Sequence, residues 1–209
     1  SIYLVPVEQR GNRLVPTGAI KRLVVSDRSQ TLSGFSDDGE AVLFSSRRDP
    51  AIFRESGMYR APINGGPVEA LTKAKGEAPR IRNNTLTFSR GGASMERPRY
   101  RGSSNHDLWS MNLNDGTFAR RTSNRSNEAE AFPLPNGDLL LISSRDGQNN
   151  LWKLPAQGTE EAVLTLAGGQ QLAGPDLVRV VELARKAKGF LEPLSIKLPI
   201  SVLEQATLA

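Results

Sequence analysis

The chain has 209 residues, 38% of them hydrophobic and 23% charged, with a formal charge of +5. It has no cysteine and one histidine, His106, which excludes disulfides, thiolate metal sites and multi-histidine zinc sites. No apolar run is long enough to span a bilayer, and 19 glycines with 13 prolines point to many turns and few long helices. A pI near 9.8 permits acidic partners without requiring them.

The chain opens directly on a strand-like run rather than a signal sequence, in "SIYLVPVEQRGNRLVPT" (1–17). An aromatic, Tyr3, sits near its start; a turn at Gly11 and a short run ending in Thr17 follow. The same layout recurs in "GMYRAPINGGPVEALT" (57–72), "DLWSMNLNDGTFARRT" (107–122) and "NLWKLPAQGTEEAVLT" (150–165). There the aromatics are Tyr59, Trp109 and Trp152, and the turns are Gly65-Gly66, Asp115-Gly116 and Gly158. A second hairpin precedes each of these three: "GFSDDGEAVLFSSR" (34–47), "PRIRNNTLTFSR" (79–90) and "AFPLPNGDLLLISSR" (131–145). Their turn pairs, Asp38-Gly39, Asn83-Asn84 and Asn136-Gly137, suit tight turns because Asn, Asp and Gly tolerate positive φ best. Only 18–33, "GAIKRLVVSDRSQTLS", is longer than the joint expected there.

Past residue 167 this register stops at "AGGQQLAGPD". The spacing of Leu177, Val180, Val181, Ala184 and Ala187 predicts a helix over 176–188, capped by Asp176. "PLSIKLPISV" then alternates, with Leu194, Ile196, Leu198, Ile200 and Val202 on one face of a predicted strand.

Four strands repeated at roughly 40 to 50 residues are the signature of β-propeller blades. The expected fold is all-β: about three and a half four-stranded blades over 1–166, with 167–209 as a helix-strand extension or the start of a second domain. The units are 32–72, 73–122 and 123–165, with 1–17 as the outer half of another blade. The leading expectation is a segment of a larger ring, whose missing blades another chain could supply. The alternative is a four-bladed ring closed by the C-terminal strand.

The order of Asp-Gly hairpin, Ser-Ser-Arg, Asp-Gly and Leu-Trp in "FSDDGEAVLFSSR" and "ISSRDGQNNLWKLPAQG" resembles the TolB-like propeller repeat. The second unit departs from it, with Asn83-Asn84 in place of Asp-Gly and Pro79-Arg80 where an aromatic is usual. The resemblance implies a blade architecture and a periplasmic or secreted bacterial setting. Such repeats also form the propellers of tricorn-like and prolyl-oligopeptidase-like peptidases.

The sequence offers little for catalysis. There is no Gly-x-Ser-x-Gly elbow and no nucleotide fingerprint, and His106-Asp107 lacks a nucleophile on a strained turn. Asp37-Asp38, Glu128 with Glu130, and Glu160-Glu161 lack calcium-loop spacing. No catalytic residue, metal site or cofactor is expected, and Trp109 and Trp152 read as packing residues. The near-balanced charge of the tail speaks against nucleic acid.

The informative irregularity is the loop after Ser-Arg, which varies widely in length among the three units. These loops carry Arg47, Arg48, Arg54, Arg90, Arg97, Arg99, Arg101 and Arg145 against five acids, a net +3. Arginine grips carboxylates through paired donors, and loops on a rigid scaffold often carry binding. The candidate partner-binding residues are Arg47, Arg48, Arg90, Arg97, Arg99, Tyr100, Arg101, His106 and Arg145. The expected function is therefore non-catalytic binding of a protein or peptide, possibly acidic. The alternative is the propeller of a serine peptidase that orients substrates for a catalytic domain outside this chain. A sugar-binding or sugar-cleaving propeller is a weaker third reading.

Overall fold

The computed structural model describes residues 1–11, 13–49, 55–156 and 161–164. The predicted helix over 176–188, the strand over 194–202 and the boundary near 167 lie outside them. The described residues form strands joined by turns, with no helix among them.

Three antiparallel four-stranded meanders make up most of the chain. The first is β5 (Gln30–Phe35), β6 (Ala41–Ser46), β7 (Gly57–Pro62) and β8 (Glu69–Ala70). The second is β9 (Glu77–Arg82), β10 (Thr85–Arg90), β11 (Asp107–Asn112) and β12 (Phe118–Arg120). The third is β13 (Glu128–Pro133), β14 (Leu139–Ser143), β15 (Asn150–Leu154) and β16 (Glu161–Leu164). These match the three units expected from the repeat.

The N-terminal segment differs from expectation. The aromatic strand β1 (Ile2–Leu4) pairs with β4 (Lys21–Val24), not with the run ending in Thr17. Between them β2 (Val7–Arg10) and β3 (Arg13–Pro16) form a hairpin of their own around Gly11, which has φ 61°. The long joint at 18–33 therefore holds the true partner strand, and 7–16 is an insertion.

The predicted turns form for the predicted reason. Asn83 and Asn84, at φ 47° and 60°, are the two turn residues between β9 and β10. Two successive left-handed residues give the turn whose twist matches the strands it joins, and Asn tolerates that region well.

The chain divides into two compact units, Ser1–Arg80 and Ile81 onward, with the boundary inside β9. In the first unit Ile2 and Val24 pack with Val42, Phe44, Tyr59 and Ala61. Phe44 and Tyr59 sit opposite each other on β6 and β7 with ring centroids 5.7 Å apart. In the second unit Leu108, Ala131, Leu139, Leu141 and Leu154 form the core, and Trp152 packs against it. Every residue of β6 and of β14 is buried, so these strands are covered on both faces.

A repeated hydrogen bond ties successive meanders. Buried Ser45, after Phe44, accepts from the Ala78 backbone N–H at 3.1 Å. Ser89, after Phe88, accepts from the Glu130 N–H at 3.2 Å. Ala78 and Glu130 are both left-handed, at φ 52° and 56°. That conformation costs a non-glycine residue about 1–2 kcal/mol, and it turns the N–H towards the serine.

Replacing Ser89 by Ala removes the hydroxyl that accepts the part-buried Glu130 N–H and should cost about 1–3 kcal/mol. Exposed Ser123→Ala should change stability by less than about 0.5 kcal/mol. Urea unfolding of the two variants beside the parent checks both values.

Candidate functional site

In an antiparallel meander the second-to-third loop and the lead-in to the first strand share one end of the sheet. In the second unit this brings together the β10–β11 loop (91–106), the β14–β15 loop (144–149) and the lead-in to β13 (121–127). The Glu128 N–H donating to the His106 carbonyl at 2.9 Å marks where they meet.

At the centre of this end lies Glu128, with no exposed surface. Its carboxylate accepts from Ser143 Oγ at 3.0 Å, from Asn124 Nδ2 at 2.5 Å and from the Arg145 guanidinium. Arg145 also donates from Nε to Ser143 Oγ at 2.9 Å, and its guanidinium lies 4.4 Å from the Trp152 ring centroid. A carboxylate taken out of water is tolerable only with such a charge partner and hydrogen bonds. Nearby, burial pushes the Asp107 carboxyl above its usual range. The Arg120 guanidinium, whose Nη2 donates to Asp107 Oδ2 at 2.6 Å, pulls it back.

Around that pair, asparagines hold the long loop. Asn127 Nδ2 donates to the Arg97 carbonyl at 3.3 Å, and its Oδ1 accepts the His106 N–H at 3.1 Å. Asn149 Nδ2 donates to the Met95 carbonyl at 2.8 Å, and Asn105 Nδ2 to the Ser126 carbonyl at 3.0 Å. Arg101 clamps the loop from within. Its Nη2 donates to the Ser144 carbonyl at 2.9 Å, and its Nη1 to the carbonyls of Pro98 and Tyr100. The loop base is closed by Gly92 and Ala93 N–H groups donating to the Ser104 carbonyl. Gly91 is required there, because a Cβ would stand 2.5 Å from the Asn105 carbonyl oxygen.

The nine candidate residues therefore separate by role. Arg97 and Arg99 are exposed on the held loop, with the Arg97 guanidinium 5.0 Å from the Tyr100 ring centroid. Tyr100 is half-buried, and its Oη accepts the Ser104 N–H at 3.3 Å; hydrogen bonding to the Ser104 side chain, and then to that N–H, lowers its pKa. Arg90 is exposed at the end of β10. Arg101 is an anchor of the loop. His106 is only 8% exposed, and its backbone bonds Asn127 Oδ1 and the Glu128 N–H. Arg145 is likewise committed to Glu128 and Trp152. In the first unit Arg47 is exposed, while Arg48 is half-buried with its guanidinium 5.5 Å from the Tyr59 ring centroid.

Sequence reasoning missed Glu128 and the asparagines. The signal was the run "SNRSNEAE" ahead of β13, with amide side chains and one acid close to a strand start. Among the described residues no group of three or more His, Asp or Glu side chains is placed to hold a metal. No helix of the described residues is long and apolar enough to cross a membrane, which says nothing of a β-barrel.

No protein-family model matches the chain, and no curated protein does. Among solved structures it is similar to TolB from Acinetobacter baumannii, at 18% identity and a TM-score of 0.58, over 78% of this chain and 39% of that one. It is similar to the tricorn protease at 16% identity and a TM-score of 0.58, over 71% of this chain and 15% of that one. At these identities the likeness is one of fold: the meanders are blades of the β-propeller type. The chain spans under two fifths of the tricorn protease and 39% of that TolB.

Arg145→Ala strands the Glu128 carboxylate and should cost about 3–5 kcal/mol. Replacing both partners, Glu128→Leu with Arg145→Met, should recover most of that loss. Chemical denaturation of the single and double variants measures the difference, which a solvent-exposed pair would not show.

Proposed function

We propose that this chain is a non-catalytic propeller segment that binds an acidic stretch of a protein or peptide through Arg97, Arg99 and Tyr100. One observation carries the reading. The 91–106 loop is fastened by side chains from two other segments and by its own Arg101 and Asn105, yet Arg97 and Arg99 are exposed. No ion pair among the described residues engages Arg90, Arg97 or Arg99. A guanidinium held in place loses less freedom on meeting a carboxylate, so fixing the loop adds to affinity.

Tyr100 supplies an amphipathic ring beside those charges, a common feature of contact surfaces. Arg90 stands at the base of the same loop and would widen the surface. Arg47 and Arg48 occupy the corresponding loop of the first unit and are proposed as a second contact of the same kind. A periplasmic or secreted setting follows from the TolB-like resemblance alone. We take residues 167–209 as an extension of the blades or the start of a second domain.

The fold likeness to the tricorn protease favours the second reading, a peptidase propeller that orients peptides for a catalytic domain outside this chain. Both readings use the same surface for peptide contact. They differ in whether a bound peptide is cleaved when the complete polypeptide is present.

Binding of a fluorescent glutamate-rich peptide and of its glutamine counterpart, followed by anisotropy, tests the surface. The parent should bind the acidic peptide and lose affinity as salt rises. Arg97→Ala with Arg99→Ala should weaken that binding at least tenfold while circular dichroism stays unchanged. Equal binding by parent and variant, or equal affinity for both peptides, would remove the proposal.

A further inference from the structure

Two Asn-Gly pairs occur in the sequence, Asn64-Gly65 and Asn136-Gly137, and both stand in turns. An asparagine amide is open to attack by the main-chain nitrogen of the next residue, which closes a five-membered ring. Glycine in that next place permits the approach, because no Cβ stands in the way. The attacking nitrogen must first give up its proton, so nearby charge matters as much as access. The two turns differ on both counts.

In their main-chain bonding they are alike. Gly65 N–H donates to the Pro62 carbonyl at 3.1 Å, and Gly137 N–H to the Leu134 carbonyl at 3.0 Å. The asparagine side chains are held differently. Asn136 Nδ2 donates to Asp138 Oδ2 at 2.9 Å, and its Oδ1 accepts the Asp138 N–H at 3.2 Å. That carboxylate is fixed in turn, since its Oδ1 accepts the Ala156 N–H at 2.9 Å. Asn64 is exposed on the turn between β7 and β8. No hydrogen bond of the described residues engages its side chain, so its amide carbon can swing towards the Gly65 nitrogen.

The neighbouring charges differ in sign. Lys21, from β4, reaches over the first turn. Its Nζ donates to the Ile63 carbonyl at 3.1 Å and lies 3.7 Å from where a Cβ on Gly65 would stand. A cation in that place favours the deprotonated, negatively charged nitrogen. At the second turn the Asp138 carboxylate disfavours it by the same rule.

We propose that Asn64-Gly65 is a self-modification site, at which the folded chain converts the Asn64 amide to an acid while Asn136 is spared. The Gly65 nitrogen, its proton lost to solvent base, forms a bond to Asn64 Cγ. The Cγ–Nδ2 bond breaks, and the departing nitrogen takes a proton from water and leaves as ammonia. Water then opens the ring at either carbonyl, giving aspartate or its isomer with an extra methylene in the main chain. The product sets a carboxylate on the turn that Lys21 ties to β4. It is a slow, one-way change of charge built into the first unit.

The 209-residue protein is incubated at mildly alkaline pH, digested, and mapped by mass spectrometry for conversion of amide to acid. Conversion at Asn64 should run at least tenfold faster than at Asn136, with both acid isomers present. In concentrated urea the two sites should react at similar rates, since the turns that distinguish them are gone. Lys21→Met should slow Asn64 at least threefold with circular dichroism unchanged, and Lys21→Arg should keep the parental rate. Equal rates at the two sites in the folded protein, or no conversion at Asn64, would overturn the proposal. A Lys21→Met variant that reacts at the parental rate would overturn the part given to Lys21.

Discussion

A four-stranded antiparallel meander has two faces, and it can cover neither by itself. Everything else in this chain follows from that constraint. It explains why β6 and β14 read as unbroken apolar runs, "AVLF" and "LLLI", rather than as alternating strands. Alternation belongs to sheets with one wet face; these strands are buried along their whole length. Within the first unit the cover comes from Ile2 and Val24, and within the second from the packing of Leu108 with Ala131, Leu139 and Leu141. The aromatic strand of each meander adds a large ring opposite an apolar partner: Tyr59 on Phe44, Trp109 on Phe88, Trp152 on Leu141. Ser45 and Ser89 then each accept a main-chain N–H from the first strand of the following meander.

Rigid sheets alone would not order the long loop. That falls to polar groups at the sheet ends, where the apolar core runs out. Glu128, with no exposed surface, requires a cation, and Arg145 meets it while lying over Trp152. The pair fixes the segments on either side, so that Asn127 and Asn149 face the loop with donors already positioned. Each donor engages a loop carbonyl rather than a loop side chain. The consequence is chemical: the loop backbone is held while Arg97 and Arg99 stay exposed and outside any ion pair among the described residues. A long loop of this kind is usually the least ordered part of a scaffold. Here its order rests on a buried charge pair at its foot, where the Glu128 N–H donates to the His106 carbonyl.

Much of the blade pattern was legible because its signals are local. Asp38-Gly39, Asn83-Asn84 and Asn136-Gly137 mark turns through their own backbone preferences, and the aromatic strands follow at a steady offset. Pairing partners are not local, and there the reading failed once. The segment 1–17 contains an aromatic, a glycine turn and a final threonine, yet β1 pairs with Lys21–Val24 across an inserted hairpin. The Gly11 turn marks Val7 to Pro16 as a hairpin, but nothing in it reveals that Ile2–Leu4 pairs beyond it with Lys21–Val24. The site was legible to the same degree. Its arginines stand out from composition, but their employment depends on contacts distant in sequence. Arg145 meets an acid before β13, Arg101 meets the Ser144 carbonyl, and His106 is buried by Asn127 and Glu128. Of the second unit's set, Arg90, Arg97 and Arg99 are exposed and outside any ion pair among the described residues, with half-buried Tyr100 beside them.

The account rests on the 91–106 loop being a held element of the scaffold. Native-state hydrogen exchange, resolved to single amides across 85–112, tests this most directly. The account predicts that Ala93, Tyr100 and Asn105, whose N–H groups donate to Ser104, Arg97 and Gly102 carbonyls, exchange far more slowly than an unstructured chain. Their protection should approach that of β10 and β11. Exchange of these amides at the rate of a free peptide, with β10 and β11 still protected, would contradict it.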